Sequence, residues 1–360
     1  MQADGALRGS LLAVILYDVC EEIKLEDLRG LVGARRVGPA FKHAAPEYVR
    51  FQRPPVVESA EPWLLETGES FETQVKYYDY GVVSVLFERA FAGQWEDLLQ
   101  VASRWISSNE FERQASRIAR QKLERAAGAL VKPYPGWLTE DYFVFHLSEI
   151  PGAPAGAALM ADCGDRIAAL VRGETEPLSL TERYEVLQSS LSYYPNDLTV
   201  IGWHAAFIYD TPAGGQTAIQ LLEYANSQLL EFRHYDEFLT RELAGVYRTL
   251  DRGSGAIRRW HLAREAVRLQ TVALDVTELA ERADNAIKFL SDMFYARAYR
   301  MASARVGVTD YRTLVERKLR IAGDLYESMM NDFHQARSFV LEAMVVVILV
   351  IELVHLFHAW

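Results

Sequence analysis

Cysteine is the residue that this chain has least of, since its 360 residues include only Cys20 and Cys163. A disulfide framework needs several paired cysteines, and a structural zinc site needs cysteines or histidines at close spacing. Two cysteines so far apart in sequence provide neither. We therefore expect a protein without disulfides or structural zinc, in a reducing compartment.

Signatures of catalysis are missing as well. The sequence contains no GxGxxG motif and no P-loop, and none of its eight histidines lies in an HExxH motif. His204 follows Gly202 and Trp203 in a segment that reads as an apolar helix, where a hydrogen-bonded core histidine is a more common role than catalysis. We predict no catalytic residue, no metal and no cofactor, and hence a protein that is not an enzyme.

Positive charge is in deficit, and the formal net charge is -11. Such a surface repels nucleic acid, so a nucleic-acid partner is disfavoured. One exception is a set of arginines at helical spacing, Arg113, Arg117 and Arg120. An earlier basic cluster includes Arg35, Arg36 and Arg50. If both sets face the same way, they would make an anion-binding surface for RNA or lipid phosphate. We favour a solvated helix face instead, because Glu112 and Glu124 lie among them.

Residues 1–155 mix strand-like and helix-like segments. The first apolar run contains Asp18 and lacks a small-residue cleavage site, so we interpret it as a strand and not as a signal peptide. The order β-α-β-β-α-β is typical of the ferredoxin-like fold, and it predicts an α+β domain that ends at the Pro/Gly/Ala stretch of residues 151–157. Strands are predicted over 13–19, 47–57, two pieces of 72–91 and 142–150, and helices over Leu25–Val32 and 95–127.

Tyr78, Asp79, Tyr80 and Gly81 separate two of the strand-like pieces. This sequence suits a tight hairpin, although one long bent strand fits as well. Asp79 could serve as an acid, but a turn residue that bonds its own backbone is the more common role. The tyrosines would then pack on the strands or form an interaction surface.

From residue 156 to 342 the sequence reads as helix, and we predict a helical domain with helices over 162–172, 180–192, 198–210 and 218–251. Apolar residues then alternate spacings of four and three over 262–294 and again over 315–340, which is a heptad pattern. With a turn near residues 306–309, these seams predict a long antiparallel helical hairpin. They fit either an intramolecular bundle, which we favour, or a free coiled coil.

Residues 343–360 are apolar enough to form a third segment, a transmembrane tail helix. Eighteen residues at about 1.5 Å each give about 27 Å, close to the hydrocarbon thickness of a bilayer. The eleven Val, Ile, Leu and Phe residues contribute roughly -3 to -7 kcal/mol to insertion. Glu352, near the middle, costs about 3 kcal/mol, so insertion keeps a small margin. The alternative is the buried last helix of a soluble bundle.

An acid inside a membrane segment marks a functional position, most simply a contact between copies of the chain. We therefore assign Glu352, together with Val347, Ile351 and His355, to a membrane or oligomer contact. By the positive-inside rule, the cations that precede the segment keep the body of the protein cytoplasmic, with no cation after it. They are Arg312, Arg317, Lys318, Arg320 and Arg337.

Three segments carry a resemblance to a known family. Residues 77–91 (YYDYGVVSVLFERAF) are similar to its aromatic-Asp-Tyr-Gly-Val-Val signature, and residues 337–353 (RSFVLEAMVVVILVIEL) resemble its closing pattern. On these segments the chain resembles the family whose eukaryotic members are named "required for meiotic nuclear division". Its helical region is similar to residues 295–329, through Tyr311, Leu314, Lys318, Leu319 and Tyr326.

The resemblance implies a protein with one C-terminal transmembrane helix, which in mitochondria lies on the inner membrane, forms homo-oligomers and supports translation of membrane proteins. It implies no catalytic residues. The acidic N-terminal region lacks the Arg/Ser-rich start of a mitochondrial presequence, so a bacterial member in the plasma membrane fits better.

We therefore predict a non-catalytic, tail-anchored scaffold or tether that forms homo-oligomers. Its protein partner is unknown, and the resemblance leaves open that the partner is related to the ribosome. The alternative is a soluble helical-bundle module that binds RNA or another anionic partner through the basic face of the N-terminal domain.

Overall fold

A computed structural model of the protein describes residues 6–32, 35–36, 54–65, 68–251, 256–285 and 293–358. The strands are β1 (Leu7–Ile23), β2 (Arg35–Arg36), β3 (Val56–Leu64), β4 (Ser70–Tyr77), β5 (Val82–Gly93), β6 (Leu130–Glu149), β7 (Ser190–Leu191), β8 (Leu198–Ile201) and β9 (Ala205–Tyr209). The helices are α1 (Leu25–Val32), α2 (Trp95–Ile106), α3 (Glu110–Arg125), α4 (Gly156–Arg172), α5 (Leu180–Leu187), α6 (Pro212–Asp251), α7 (Ala256–Asn285), α8 (Met293–Val306) and α9 (Val308–His358).

These strands form one mixed sheet in the order β2-β3-β4-β5-β1-β6-β9-β8-β7. The pairs are antiparallel except for β6 and β9, which run parallel with Phe145 opposite Phe207. The connection between those two strands contains α4 and α5. Mixed sheet and helices make the protein α+β, as predicted.

The centre of the sheet is β1, which pairs with β5 on one side and with β6 on the other. Its residues 11–20 are buried without interruption. A strand that is covered on both faces carries a continuous apolar run and not an alternating one. This explains why the sequence around residues 13–19 predicts a strand without showing which face is exposed.

One face of the sheet carries the apolar core. Alternate side chains of β1, from Leu11 to Tyr17, pack there with residues of α2, α3 and α4. The rings of Trp105 and Phe111 lie 4.9 Å apart, and the Phe111 ring lies 5.9 Å from that of Phe143. Burial of each such side chain contributes about 1.5–3 kcal/mol, so this layer supplies much of the stability of the sheet.

The single helix predicted over residues 95–127 is wrong in one respect, because two helices occupy the segment. The Ser107 hydroxyl donates to the Ser103 carbonyl, and the Glu110 amide donates to the Ser108 hydroxyl. Side chains of this kind compete with the helical backbone and cap a new helix. The chain therefore ends α2 at Ile106 and starts α3 at Glu110.

The helix predicted over residues 198–210 is wrong. The structure has the hairpin β8–β9 there, closed by a hydrogen bond from the Gly202 amide to the Ala205 carbonyl. A short apolar run is compatible with a buried strand as well as with a helix, and its length and glycine favour the strand. The helix predicted over 180–192 likewise ends at Leu187, and β7 follows it.

The domain boundary predicted at residue 155 separates β1–β6 from β7–β9. All nine strands belong to one sheet, so the structure has no domain boundary there. The chain forms two compact units, one of Met1–His234 and Arg282–Tyr311 and the other of Tyr235–Glu281 and Arg312–Trp360. Of the strand predicted over 47–57, residues 47–53 lie outside the described residues, and the remainder leads into β3.

The second unit is helical and has its own core. Seam residues of α7 and α9 pack there with two residues of α6, in the intramolecular arrangement that we favoured. The predicted turn lies at Gly307, whose φ of 97° suits glycine. The buried core residues are Leu243, Val246, Ala266, Leu269, Ala322 and Met329.

The tight hairpin is the correct alternative for residues 78–81. The Gly81 amide donates to the Tyr78 carbonyl, and Tyr77 pairs with Val83 across the turn. Gly81 has a φ of 95°, and a Cβ there would lie 1.7 Å from the backbone oxygen of Cys20. The turn therefore requires glycine for its conformation and for its close approach to β1.

We expect Gly81→Ala to lower the free energy of unfolding by about 2–4 kcal/mol, because strain and a backbone clash act together. A urea titration followed by tryptophan fluorescence measures the loss. The matched control is Gly136→Ala, where an added Cβ meets nothing within 4 Å, and where we expect a change below about 1 kcal/mol. Equal midpoints for the two variants would show that the turn tolerates a side chain.

Candidate functional site

The first half of α6 is buried almost on all sides, although many of its residues are polar. Several side chains of this helix and several of the sheet are both polar and buried, and we call the two sets together the buried polar layer. On α6 they are Thr217, Glu223, Asn226, Ser227, Gln228 and Glu231, and on the sheet Asp18, Lys76, Ser84, Glu140 and His146.

Glu223 is the best-connected member of the layer. Its carboxylate forms an ion pair with the Lys76 ammonium and accepts a hydrogen bond of 2.7 Å from the Ser84 hydroxyl. Tyr78 provides a further hydrogen bond. A buried charge is tolerated only when it is paired and hydrogen-bonded. Lys76 and Ser84 come from β4 and β5, so one carboxylate joins two strands to the helix.

The Tyr-Asp-Tyr-Gly turn supplies the aromatic part of the same layer. The hydroxyl of Tyr80 lies 2.7 Å from the Ser227 hydroxyl, and its ring lies 5.3 Å from Tyr78 and 6.3 Å from Tyr224. Burial raises the pKa of Tyr78 and of Tyr80 well above the usual value. Both phenols therefore stay protonated and act as hydrogen-bond donors. The backbone oxygen of Asp79 accepts from the Ile23 amide, which agrees with a turn residue.

A second cluster lies where β1 and β6 change register, between Asp18 and Cys20. The Asp18 carboxylate lies 2.5 Å from His234 Nδ1 on α6, and the Tyr134 ring stacks on His234 at 4.4 Å. Burial raises the pKa of Asp18 well above its ordinary value. Burial and the neighbouring Asp18 raise the pKa of Cys20 to about 12, so its thiol is no nucleophile at neutral pH.

Glu140 and Arg233 form the third contact of the layer, an ion pair between β6 and α6. Burial of the Glu140 carboxyl outweighs the attraction of Arg233 and raises its pKa from 4.5 to about 7. The carboxyl therefore changes its charge near neutral pH while it remains inside the protein.

These contacts hold α6 on the sheet. Among the described residues no three His, Cys, Asp or Glu side chains are placed to hold a metal ion. A pocket between α6, α8 and the β7–β9 edge is mainly apolar. The acids on its wall, Asp197 and Asp210, already accept hydrogen bonds from the backbone amides of Tyr193, Tyr194 and Thr211.

The end of α9 differs from every other helix described, because its apolar side chains face outward. Each side chain from residue 337 to 355 is exposed. The most apolar 18-residue window of the helix has a mean hydropathy of 2.3, and none of it is buried in the chain. The helix is thus long and apolar enough to cross a membrane. Within this chain nothing described covers it as the last helix of a soluble bundle would be covered.

All four predicted contact residues of this segment are exposed on α9. At about 100° per residue, Glu352 and His355 lie about 60° apart around the helix axis. Val347 and Ile351 lie on the row that leads to His355, about 140° and 100° from Glu352. The set thus occupies a broad part of the surface and not one narrow face.

The three predicted anion-binding arginines are exposed on α3. Arg120 lies over the ring of Trp137 at 4.6 Å. Arg113 and Arg117 form no ion pair with any described residue. The three side chains therefore form an exposed basic face of α3.

Sequence reasoning missed the buried polar layer apart from its tyrosine turn. Glu223, Ser227, Glu231 and His234 recur at spacings of four, four and three, which marks one helix face. Such a polar face normally points to water. The available signal is that apolar residues such as Ile219 and Leu230 border that face, about 75° and 55° from its centre at 100° per residue, so the helix is apolar on more than one side.

Comparison with known proteins gives two matches. The family model described as "Uncharacterized protein MJ0711, N-terminal domain" matches residues 8–216. The uncharacterized protein MJ0711 of Methanocaldococcus jannaschii is 20% identical over 185 residues, which are 51% of this chain and 56% of the relative. The chain thus aligns with little more than half of that relative's length. No solved structure matches.

The matched residues 8–216 contain every strand of the sheet and only the first turn of α6. Neither match links the chain to the family named "required for meiotic nuclear division". That resemblance stays a prediction from the three segments that carry it.

The raised pKa of Glu140 predicts a pH dependence of stability. A carboxyl with a folded pKa near 7 and an ordinary pKa of 4.5 contributes its full stability below pH 4.5 and loses it as the pH rises through 7. We expect the free energy of unfolding to fall over this window. Glu140→Gln removes that fall, with a difference on the order of 3 kcal/mol between pH 4.5 and 8.

Urea titrations at several pH values measure the effect. The exposed Glu124→Gln is the matched control, and it should keep the slope of the unchanged protein. The shift of Asp18 acts in the same direction, but it is common to all three proteins and cancels from the comparison. Parallel pH profiles for Glu140→Gln and the control would contradict the prediction.

Proposed function

We propose that this chain, which belongs to the family of the N-terminal domain of uncharacterized protein MJ0711, is a non-catalytic membrane-anchored scaffold or tether. The observation that carries this proposal is the outward-facing apolar segment of α9, none of which is buried in the chain. Soluble monomers rarely expose contiguous apolar surface of this extent. A bilayer is the solvent in which such a surface is stable.

The energetics of insertion support the anchor. Eleven Val, Ile, Leu and Phe residues from Val345 onward favour insertion by roughly 3–7 kcal/mol, and Glu352 opposes it by about 3 kcal/mol. A helix loses no backbone hydrogen bond in the bilayer, since each is satisfied within the segment. Insertion is therefore favourable with Glu352 in place, and it is more favourable if another group forms a hydrogen bond with the Glu352 carboxyl.

For the location we propose the plasma membrane of a bacterium, with the body of the protein on the cytoplasmic side. Arg337 and the basic residues Arg317 and Arg320 precede the apolar segment on α9. Cations near a span favour the cytoplasmic side. The resemblance to the meiotic-division family would add homo-oligomers and a ribosome-related protein partner.

We also propose that the core of the sheet is ferredoxin-like. Its central strands lie in the order β6-β1-β5-β4 and are antiparallel, with α2 and α3 between β5 and β6. That is the strand order of two interlocked βαβ units.

Membrane association is tested by extracting membranes of expressing cells with alkaline carbonate. We expect the full chain to stay in the pellet, because hydrophobic insertion resists carbonate, whereas peripheral charge contacts do not. A chain that ends at Arg337 should move to the supernatant. An equally long chain with Val346→Lys and Val350→Lys is the control for hydropathy, and it should also leave the pellet. Full-length protein that is soluble without detergent would refute the anchor.

A second candidate function is recognition of an anionic partner by α3. The observation that favours it is that Arg113 and Arg117 are exposed without an ion-pair partner among the described residues, with Arg120 on Trp137 beside them. Guanidinium groups suit phosphate, and an adjacent aromatic ring suits a base. The net charge of -11 opposes any broad nucleic-acid surface, so the partner would meet only this patch.

The test of this candidate is RNA binding by the purified protein in detergent, measured by fluorescence anisotropy at several salt concentrations. If the patch binds phosphates, Arg113→Ala, Arg117→Ala and Arg120→Ala together should weaken binding at least tenfold and flatten its salt dependence. Arg248→Ala together with Arg300→Ala is a control at exposed arginines of other helices. Binding that is absent, or that ignores the α3 changes, counts against this candidate.

A further inference from the structure

Glu352 and His355 form a polar pair on an otherwise apolar helix surface. Both side chains are exposed on α9, three residues and about 60° apart. Neither has a hydrogen-bond or ion-pair partner among the described residues of its own chain. The surrounding surface on the same side consists of Val345, Ile348 and Leu349, all more than half exposed.

We propose that two copies of this chain associate in the membrane through a crossed pair, in which Glu352 of each copy hydrogen-bonds His355 of the other. This inference rests on the proposed membrane anchor and deepens it by naming the partner. A two-fold contact is self-complementary, so one acid and one imidazole on each helix give two hydrogen bonds. A neutral carboxyl and a neutral imidazole each offer a donor and an acceptor, so no net charge needs to enter the bilayer.

A second copy satisfies both groups at once, which lipid does not. In hydrocarbon an unpaired polar group is costly, and interhelical hydrogen bonds of such groups favour association. Val345 and Ile348, which precede Glu352 by two turns and one turn, would pack across the two-fold axis. They lie about 20° and 40° from Glu352 around the helix, whereas Val346 and Val350 lie about 120° and 160° away.

Disulfide cross-linking of the full chain in native membranes tests which face is shared. Cys163→Ser leaves only the buried Cys20, and single changes then add Val345→Cys, Ile348→Cys, Val346→Cys or Val350→Cys. We expect oxidised dimers at 345 and 348 and few at 346 and 350. Equal yields at all four positions, a maximum at 346 and 350, or cross-links only to another protein would overturn the proposal.

Mixing of two differently tagged full-length variants tests the crossed pair itself. Glu352→Leu alone and His355→Leu alone should each weaken self-association in detergent roughly five- to thirtyfold, since each removes both bonds. The double variant should be no weaker than either. Glu352→Leu chains mixed with His355→Leu chains keep one bond and should form mixed dimers more readily than either forms its own. Glu352→Gln, which still hydrogen-bonds, should retain most of the association.

Carbonate extraction of the same variants separates the two proposals. If every variant stays in the pellet and the mixed dimers show no advantage, the crossed pair is wrong and the anchor stands. If the unchanged protein itself leaves the pellet, the anchor fails and the pair fails with it.

Discussion

The Glu223 carboxylate lies between a sheet and a helix, and it is stable there only because Lys76, Ser84 and Tyr78 surround it. Removing any one partner would leave a charge or a dipole unsatisfied at low dielectric, which costs more than a lost apolar contact. Apolar helix–sheet contacts tolerate sliding, but this set of directed bonds does not. The layer therefore fixes the register of α6 on the sheet, through residues that lie at or next to the Tyr78–Gly81 turn between β4 and β5.

The contacts of the buried polar layer end where the first compact unit ends on α6. Residues of α6 up to His234 lie in the first compact unit, and from Tyr235 the same helix belongs to the second. The last polar contacts, Arg233 with Glu140 and His234 with Asp18, lie at that limit. After His234, the Lys318 ammonium of α9 donates hydrogen bonds to the Asp236 carboxylate and the Thr240 hydroxyl. Contacts within the second unit therefore begin within one turn of His234. The family match ends at Gln216, so it includes the sheet residues of the last polar contacts, Asp18 and Glu140, but not their partners on α6.

Much of the fold could be predicted from the sequence, but the layer could not. The α1 bounds, the 78–81 turn and the seam residues Ala266 and Ala322 follow from local patterns, which depend on the residues within a few positions. The β8–β9 hairpin was missed, because its short apolar run has the same composition as a buried helix, and only pairing with β6 decides between them. The layer was missed because polarity on a helix face normally indicates water. Its burial depends on a sheet whose facing residues, Lys76 and Asp18, lie far away in sequence.

The two long helices depart from the usual pattern in opposite directions. In α6 polar side chains such as Glu223 are inside, and in α9 apolar side chains such as Val347 are outside. For α6 the departure is resolved within the chain at Glu223, whose buried carboxylate meets Lys76 and Ser84 of the sheet. For α9 no described part of the chain resolves it, so the surroundings must, and a surface of Val, Ile and Leu is stable in hydrocarbon and not in water. Glu352 on α9 is in this respect comparable to Glu223 on α6. Each is an acid that its surroundings do not tolerate alone, and since no described residue of the chain pairs with Glu352, its partner is sought outside the chain.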